Sequence, residues 1–210
     1  QQGLDFSGKV FLDEGDTVIC ESPSYLGALN AFKAYMPKFV EVEMDKDGMK
    51  MDELEKALQA NPNAKFIYTI PDFQNPSGIT MSLERRKKLV ELAVKYNVPV
   101  IEDNPYGELR FEGERLPAIK HFDTTGIVVF LGTFSKIFSP GLRIGWVAAS
   151  PEIVRKYVLV KQGADLQSNS MSQREAAAFV QMFDLDGHIN KIIDVYRKRR
   201  DLMIQTMEKE

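Results

Sequence analysis

Apolar residues recur along this chain in two rhythms. Short runs rich in β-branched residues occupy 17–20, 39–42, 66–70, 98–102, 127–131 and 144–148, and these read as strands. Between them, apolar residues return at three- and four-residue spacing over 26–35, 51–60, 83–96, 152–161, 173–183 and 187–207, and these read as helices. Met51-Asp52-Glu53-Leu54-Glu55-Lys56-Ala57-Leu58 shows the pattern plainly, with its acids early, where they complement the helix dipole. Ser82 stands where it can cap the helix from Leu83, and Arg85 and Arg86 are expected on that helix's polar side. Gln1-Gln2-Gly3-Leu4-Asp5-Phe6 reads as the inside of a helix already under way. The charged helical pattern from Arg197 to Glu210 carries no stop signal. Both ends are therefore expected to be cut and the chain to be part of a longer protein.

Strand–helix–strand alternation predicts an α/β fold with a mostly parallel sheet covered by helices on both faces. The near-continuous apolar run Ile127-Val128-Val129-Phe130-Leu131 fits a strand buried on both sides. In such sheets ligands bind beyond the carboxyl ends of the strands, so those segments matter most. After 66–70 comes Pro71-Asp72-Phe73-Gln74-Asn75-Pro76-Ser77-Gly78, and after 98–102 comes Asp103-Asn104-Pro105-Tyr106-Gly107. After 127–131 come Gly132-Thr133-Phe134-Ser135-Lys136 and then Pro140-Gly141-Leu142-Arg143. Parallel strands would bring an amide, a carboxylate, a phenol, two hydroxyls, a lysine and an arginine to one edge. Singly these are ordinary: Asn-Pro-x-Gly is a common turn, Asp103 suits a turn cap, and a Ser-Lys pair suits solvent. Jointly they are specific, because they supply what one cofactor needs.

Composition narrows the remaining choices. The chain has 210 residues, 44% apolar and 27% charged, the mix of an ordinary globular domain. A net charge of −3 gives no reason to expect a nucleic-acid or anionic-membrane surface. No apolar stretch has the length of a bilayer span and no signal-peptide pattern is present, so a cytoplasmic location is expected. The single cysteine, Cys20, lies in an apolar run and reads as a small buried hydrophobe. His121 and His188 have no partners at metal-ligand spacing, and no metal is assigned. The methionines read as core filler.

Asn75-Pro76-Ser77-Gly78, Asp103-Asn104-Pro105-Tyr106, Thr133-Phe134-Ser135-Lys136 and Pro140-Gly141-Leu142-Arg143-Ile144-Gly145-Trp146 together resemble the signature of the fold-type I aminotransferases of class I/II. This is the family related to aspartate aminotransferase, and the likeness runs over nearly the whole chain. The nearest flavour resembles the 2-aminoadipate, aromatic and multi-substrate aminotransferases, and also the effector domains of transcription regulators that bind the same cofactor. The resemblance implies that 1–186 is a large pyridoxal-phosphate-binding domain lacking its N-terminal part. Residues 187–210 would then begin the long helix leading to an absent C-terminal small domain.

The same resemblance implies pyridoxal 5'-phosphate as cofactor, held by Lys136 as a Schiff base, with Lys136 buried beside cationic groups. Asp103 is implied to face the pyridine nitrogen. Tyr106 and Asn75 are implied to reach the 3′-oxygen, and Asn75 also suits the substrate carboxylate. Thr133, Ser135 and Arg143 are implied to bind the phosphate. Tyr25 either stacks on the pyridine or is a core tyrosine opening the helix from Leu26. Lys136, Asp103 and Tyr106 form the implied catalytic set. The implied reaction moves an amino group between an α-amino acid and 2-oxoglutarate by a ping-pong mechanism, in a homodimer. Ser168 and Asn169 are either near the neighbouring subunit's site or beside a helix cap at Ser170 or Ser172. A lyase or synthase on the same scaffold, and a sensor domain of a regulator, stay open as alternatives.

Overall fold

The computed structural model describes residues 1–209. In chain order the elements are α1 (Gln2–Phe11), β1 (Thr17–Ser22), α2 (Leu26–Lys33), β2 (Lys38–Asp45), β3 (Gly48–Met49), α3 (Met51–Ala60) and β4 (Ala64–Thr69). They continue as α4 (Leu83–Tyr96), β5 (Val100–Asp103), β6 (Val128–Thr133), β7 (Gly145–Ala148), α5 (Pro151–Asp165), α6 (Ser170–Met182) and α7 (Leu185–Met207). The strands form one sheet in the order β3-β2-β1-β4-β5-β6-β7. Pairings β1–β2, β1–β4, β4–β5 and β5–β6 are parallel, and the two-residue β3 pairs antiparallel with β2. The expected α/β architecture is therefore present. β3 was not expected, because two residues are too few for any periodicity to register.

The direction of winding reverses at β1, which has β2 on one side and β4 on the other. Such a switch point leaves a crevice beyond the strand ends. Strand alternation sends Ile19, Ile67 and Val100 to one face, where Leu54 and Leu58 of α3 and Leu89, Leu92 and Ala93 of α4 cover them. On the other face Phe66 and Tyr68 meet Phe32 of α2 edge-on at 5.0 and 5.5 Å. Tyr157 of α5 bonds Ser7 of α1 at 2.7 Å. Helices thus cover both faces. Cys20 is buried as expected.

Local chemistry sets the helix ends. Ser82 accepts from the Arg85 N–H, and Asn97 closes α4 in the left-handed conformation. Asn169 caps α6 by accepting from the Ser172 N–H, so the cap falls one residue before Ser170. Two expectations fail. Five methionines, Met36, Met171, Met182, Met203 and Met207, are exposed, and only Met49 and Met81 belong to the core. Arg86, expected on the solvated side of α4, is fully buried.

The chain forms two compact units: Gln1–Asn104 with Pro117–Gly132 and Gly145–Gln167, and Pro105–Leu116 with Thr133–Ile144 and the residues from Ser168 on. The second has its own small core of Leu109, Ile137, Ile189 and Ile193. No helix among the described residues is long and apolar enough to cross a membrane.

Candidate active site

In the first unit the candidate groups stand at the ends of β1, β4 and β5. Asp103 is the last residue of β5, and Tyr68 of β4 donates to its Oδ2 at 3.0 Å. It is not a turn cap. Burial pushes its pKa up to about 6, against the opposing pull of the Tyr68 hydrogen bond.

Asn75 lies in the loop after β4, partly buried. That loop is tied down on both sides of Asn75. The Gln74 Nε2 donates to Glu21 Oε2 at 3.2 Å and to the Pro23 carbonyl at 2.8 Å. The Gln74 Oε1 accepts from the Ser77 N–H at 2.9 Å and its hydroxyl at 2.7 Å. Glu21 also accepts from the Thr69 hydroxyl and the Ile70 N–H. Burial raises its pKa to about 7 in spite of these bonds.

At the base of the loop, Asp72 forms a two-pronged pair with Arg86, at 2.8 Å to Oδ1 and 3.2 Å to Oδ2. The same guanidinium holds the carbonyls of Pro71, Met81 and Pro117. Asn104, next to Asp103, donates to Asp72 Oδ2 at 3.2 Å. Glu21, Tyr68, Asp72 and Arg86 were given no part in the site from the sequence, yet they hold the two segments that carry Asn75 and Asp103.

Tyr25 precedes α2, and its ring lies on Gly27, where an added Cβ would come within 2.5 Å of it. It is partly buried, so it opens the helix from Leu26 without being a core residue.

Three of the candidates cluster in the second unit. Thr133 Oγ1 donates to Ser135 Oγ at 3.0 Å, and the Ser135 N–H donates back to Thr133 Oγ1 at 3.1 Å. Arg143 Nη1 donates to Ser135 Oγ at 3.4 Å and to the Pro140 carbonyl at 3.0 Å. Arg143 holds φ at 56°, a left-handed backbone that costs a non-glycine residue roughly 1 kcal/mol. Lys136 Nζ stands 5.8 Å from the centre of the Tyr106 ring. Lys136 is exposed, contrary to the expectation of burial. Among the described residues, neither Lys136 nor Arg143 has an acidic partner. An open cavity of about 500 Å³ in this unit, lined by Phe138, Leu142, Glu175, Phe179 and Phe183 among others, contains none of the candidate groups. No cluster of metal-ligating side chains occurs among the described residues.

The family model for aminotransferase class I and II matches residues 2–210. An aromatic-amino-acid aminotransferase of Thermococcus litoralis is 50% identical over 99% of this chain and 51% of its own length. The crystal structure of a multiple substrate aminotransferase from Thermococcus profundus superposes with a TM-score of 0.95 at 49% identity, over 99% of this chain and 53% of that one. LysN, an α-aminoadipate aminotransferase of Thermus thermophilus complexed with N-(5'-phosphopyridoxyl)-L-leucine, gives 0.95 at 37% identity, over 100% and 54%. The chain belongs to the class I and II aminotransferases, and pyridoxal phosphate is the cofactor of that family. It spans about half the length of the relatives it matches.

Proposed function

We propose that the intact protein is an aminotransferase that moves an amino group between an α-amino acid and 2-oxoglutarate, with pyridoxal phosphate bound through Lys136. The observation that carries this reading is Lys136 itself, an amine without an acidic partner that follows strand β6 directly, beside a hydroxyl and guanidinium cluster. The donor set suits the cofactor. Two hydroxyls and a guanidinium with no carboxylate of its own match a phosphate dianion. Asp103 is a partly buried carboxyl with no basic side chain bonded to it, and a ring nitrogen that carries a proton would supply the missing charge.

When bound, pyridoxal phosphate supplies the electron sink for the pair left as the substrate α-carbon loses its proton. In this proposal Lys136 first holds the cofactor covalently. Its Nζ, once free, would be the base that carries the substrate's α-proton. Asp103 keeps the ring nitrogen protonated. Tyr106 and Asn75 hold the 3′-oxygen, Thr133, Ser135 and Arg143 hold the phosphate, and Tyr25 stacks on the ring. The amino group stays on the enzyme between the two half-reactions, so the first oxo acid leaves before 2-oxoglutarate enters, which is ping-pong kinetics.

For the donor we propose an aromatic amino acid first and 2-aminoadipate second. The names of the relatives at 50% and 37% identity support that order. We further propose a cytoplasmic homodimer, in keeping with the two-fold symmetry of most homo-oligomers. Residues 1–186 would form its large domain, and 187–210 would lead into a small one.

The test is an amino-acid panel on the full-length protein without acceptor. A good donor should convert the visible cofactor band to a near-ultraviolet one with one equivalent of oxo acid, and 2-oxoglutarate should restore the first band. Ammonia release with continuous turnover would instead indicate a lyase. Binding without conversion across the panel would indicate a sensor.

A further inference from the structure

Tyr68 is 0% exposed, an unusual place for a phenol unless its hydroxyl is used. Its register partners are Cys20 on β1 and Ile101 on β5, and Phe32 meets its ring edge-on at 5.5 Å. Neighbours on three sides hold the ring, and its hydroxyl donates to one atom, Asp103 Oδ2, at 3.0 Å. We propose that Tyr68 is the positioning residue for Asp103: it sets the rotation of the carboxylate, keeps it ionised and leaves Oδ1 to meet the cofactor's ring nitrogen. This rests on the reading of Asp103 given above.

Two further facts support the assignment. Tyr68 makes the one hydrogen bond that Asp103 receives from the described residues, so no other group fixes the carboxyl's angle. Burial, and then the charge of Asp103, hold the phenol proton on far above its usual range, so Tyr68 is a permanent donor. A permanent donor favours the carboxylate over the acid, opposing the burial that pushes Asp103 upward. The other charged or titratable groups near the pair are Cys20 and Glu21 on β1 and Tyr25 before α2. None of them donates a hydrogen bond to Asp103.

The experiment uses full-length protein with Tyr68→Phe, alone and combined with Asp103→Asn. In cofactor-free protein, carbon-13 NMR should show Asp103 titrating at higher pH in Tyr68→Phe than in wild type. The Kd for pyridoxal phosphate, read by protein fluorescence, should rise about tenfold, as expected on losing a hydrogen bond to a charged group. With Asp103→Asn already present, Tyr68→Phe should add almost nothing. An unchanged titration and Kd would overturn the proposal. So would an equal loss in both backgrounds, which would mark Tyr68 as a packing residue only. Wild-type protein that takes no borohydride label from pyridoxal phosphate on Lys136 would overturn the aminotransferase reading, while the Asp103 titration without cofactor would still report on Tyr68.

Discussion

Replacing Glu21 with glutamine should make the protein more stable, and only above the pH at which the carboxyl loses its proton. Glu21 is 2% exposed, and burial raises its pKa from 4.5 to about 7. A raised folded-state value means that the folded protein holds this proton more tightly than the unfolded chain. The associated stability is full below about pH 4.5 and is lost as pH rises through about 7. At about 1.4 kcal/mol per pH unit, the loss comes to about 3 kcal/mol by pH 8. The hydrogen bonds permit the exchange. One oxygen takes the N–H groups of Ile70 and Gln74, and the other faces the Thr69 hydroxyl, which can turn to accept. A glutamine can reproduce that pattern with its oxygen toward the two N–H donors and its NH₂ toward Thr69. Urea unfolding from pH 4.5 to 8 should therefore find Glu21→Gln level with wild type at the acid end and ahead by up to about 3 kcal/mol at the alkaline end. Glu102 is the control. Burial also raises it to about 7, but each of its oxygens accepts a backbone N–H, from Ile119 and Lys120 at 2.8 Å. Glu102→Gln sets an NH₂ against one of those donors and should destabilise at every pH. A Glu21→Gln difference that does not grow with pH would refute the reasoning.

Three further outcomes are expected. Borohydride reduction of the full-length protein with pyridoxal phosphate, followed by peptide mapping, should label Lys136, and Lys136→Ala should abolish the label. Asp103→Asn should preserve the fold and slow α-proton removal by on the order of a hundredfold, read in single half-reactions, as when one preorganised donor worth about 3 kcal/mol is lost. Arg86→Met should lower unfolding stability by about 3–5 kcal/mol, because it strands the buried Asp72 carboxylate. A loss under about 1 kcal/mol by chemical denaturation would show that solvent reaches Asp72.

The periodicity exposed most of the fold because burial follows it. The runs at 17–20, 66–70 and 127–131 lie within, or within one residue of, β1, β4 and β6. The clustered motifs likewise pointed to the segments that hold the candidate groups. Arg86 was misread by charge, although its spacing carried the correct signal. It lies three, four and seven residues before Leu89, Val90 and Ala93, all buried, so the helix turns it inward with them. Glu21 and Glu102 were missed because period-two alternation places a side chain on a face without saying whether donors wait there. Those donors come from segments remote in sequence, at 69–74 and 119–120. Tyr68 reads as one more aromatic of a strand until Asp103, a strand away, is brought beside its hydroxyl. The exposure of Lys136 depends on what covers the segment after β6, and no local pattern encodes that.

The acids near these strand ends differ in how much of their hydrogen-bonding capacity the protein already uses. Glu21 accepts three bonds, Glu102 accepts two backbone N–H groups, and Asp72 takes both prongs of Arg86 and the amide of Asn104. Each gathers several donors, Glu102 and Glu21 taking backbone N–H groups and Asp72 taking side chains, and a carboxylate is the side chain with the most acceptor sites for that task. Burying them costs stability, and the helices packed on both faces of the sheet offset that cost. Asp103 is built on the opposite principle. It takes a single bond, from a phenol whose pKa burial raises well above its usual value, and it keeps one oxygen uncommitted. Among Glu21, Glu102 and Asp103 it is the one with a carboxyl oxygen that accepts no bond. That oxygen singles it out as the acid that can pair with a cation brought in from outside the chain, while its neighbours keep the surrounding loops in place.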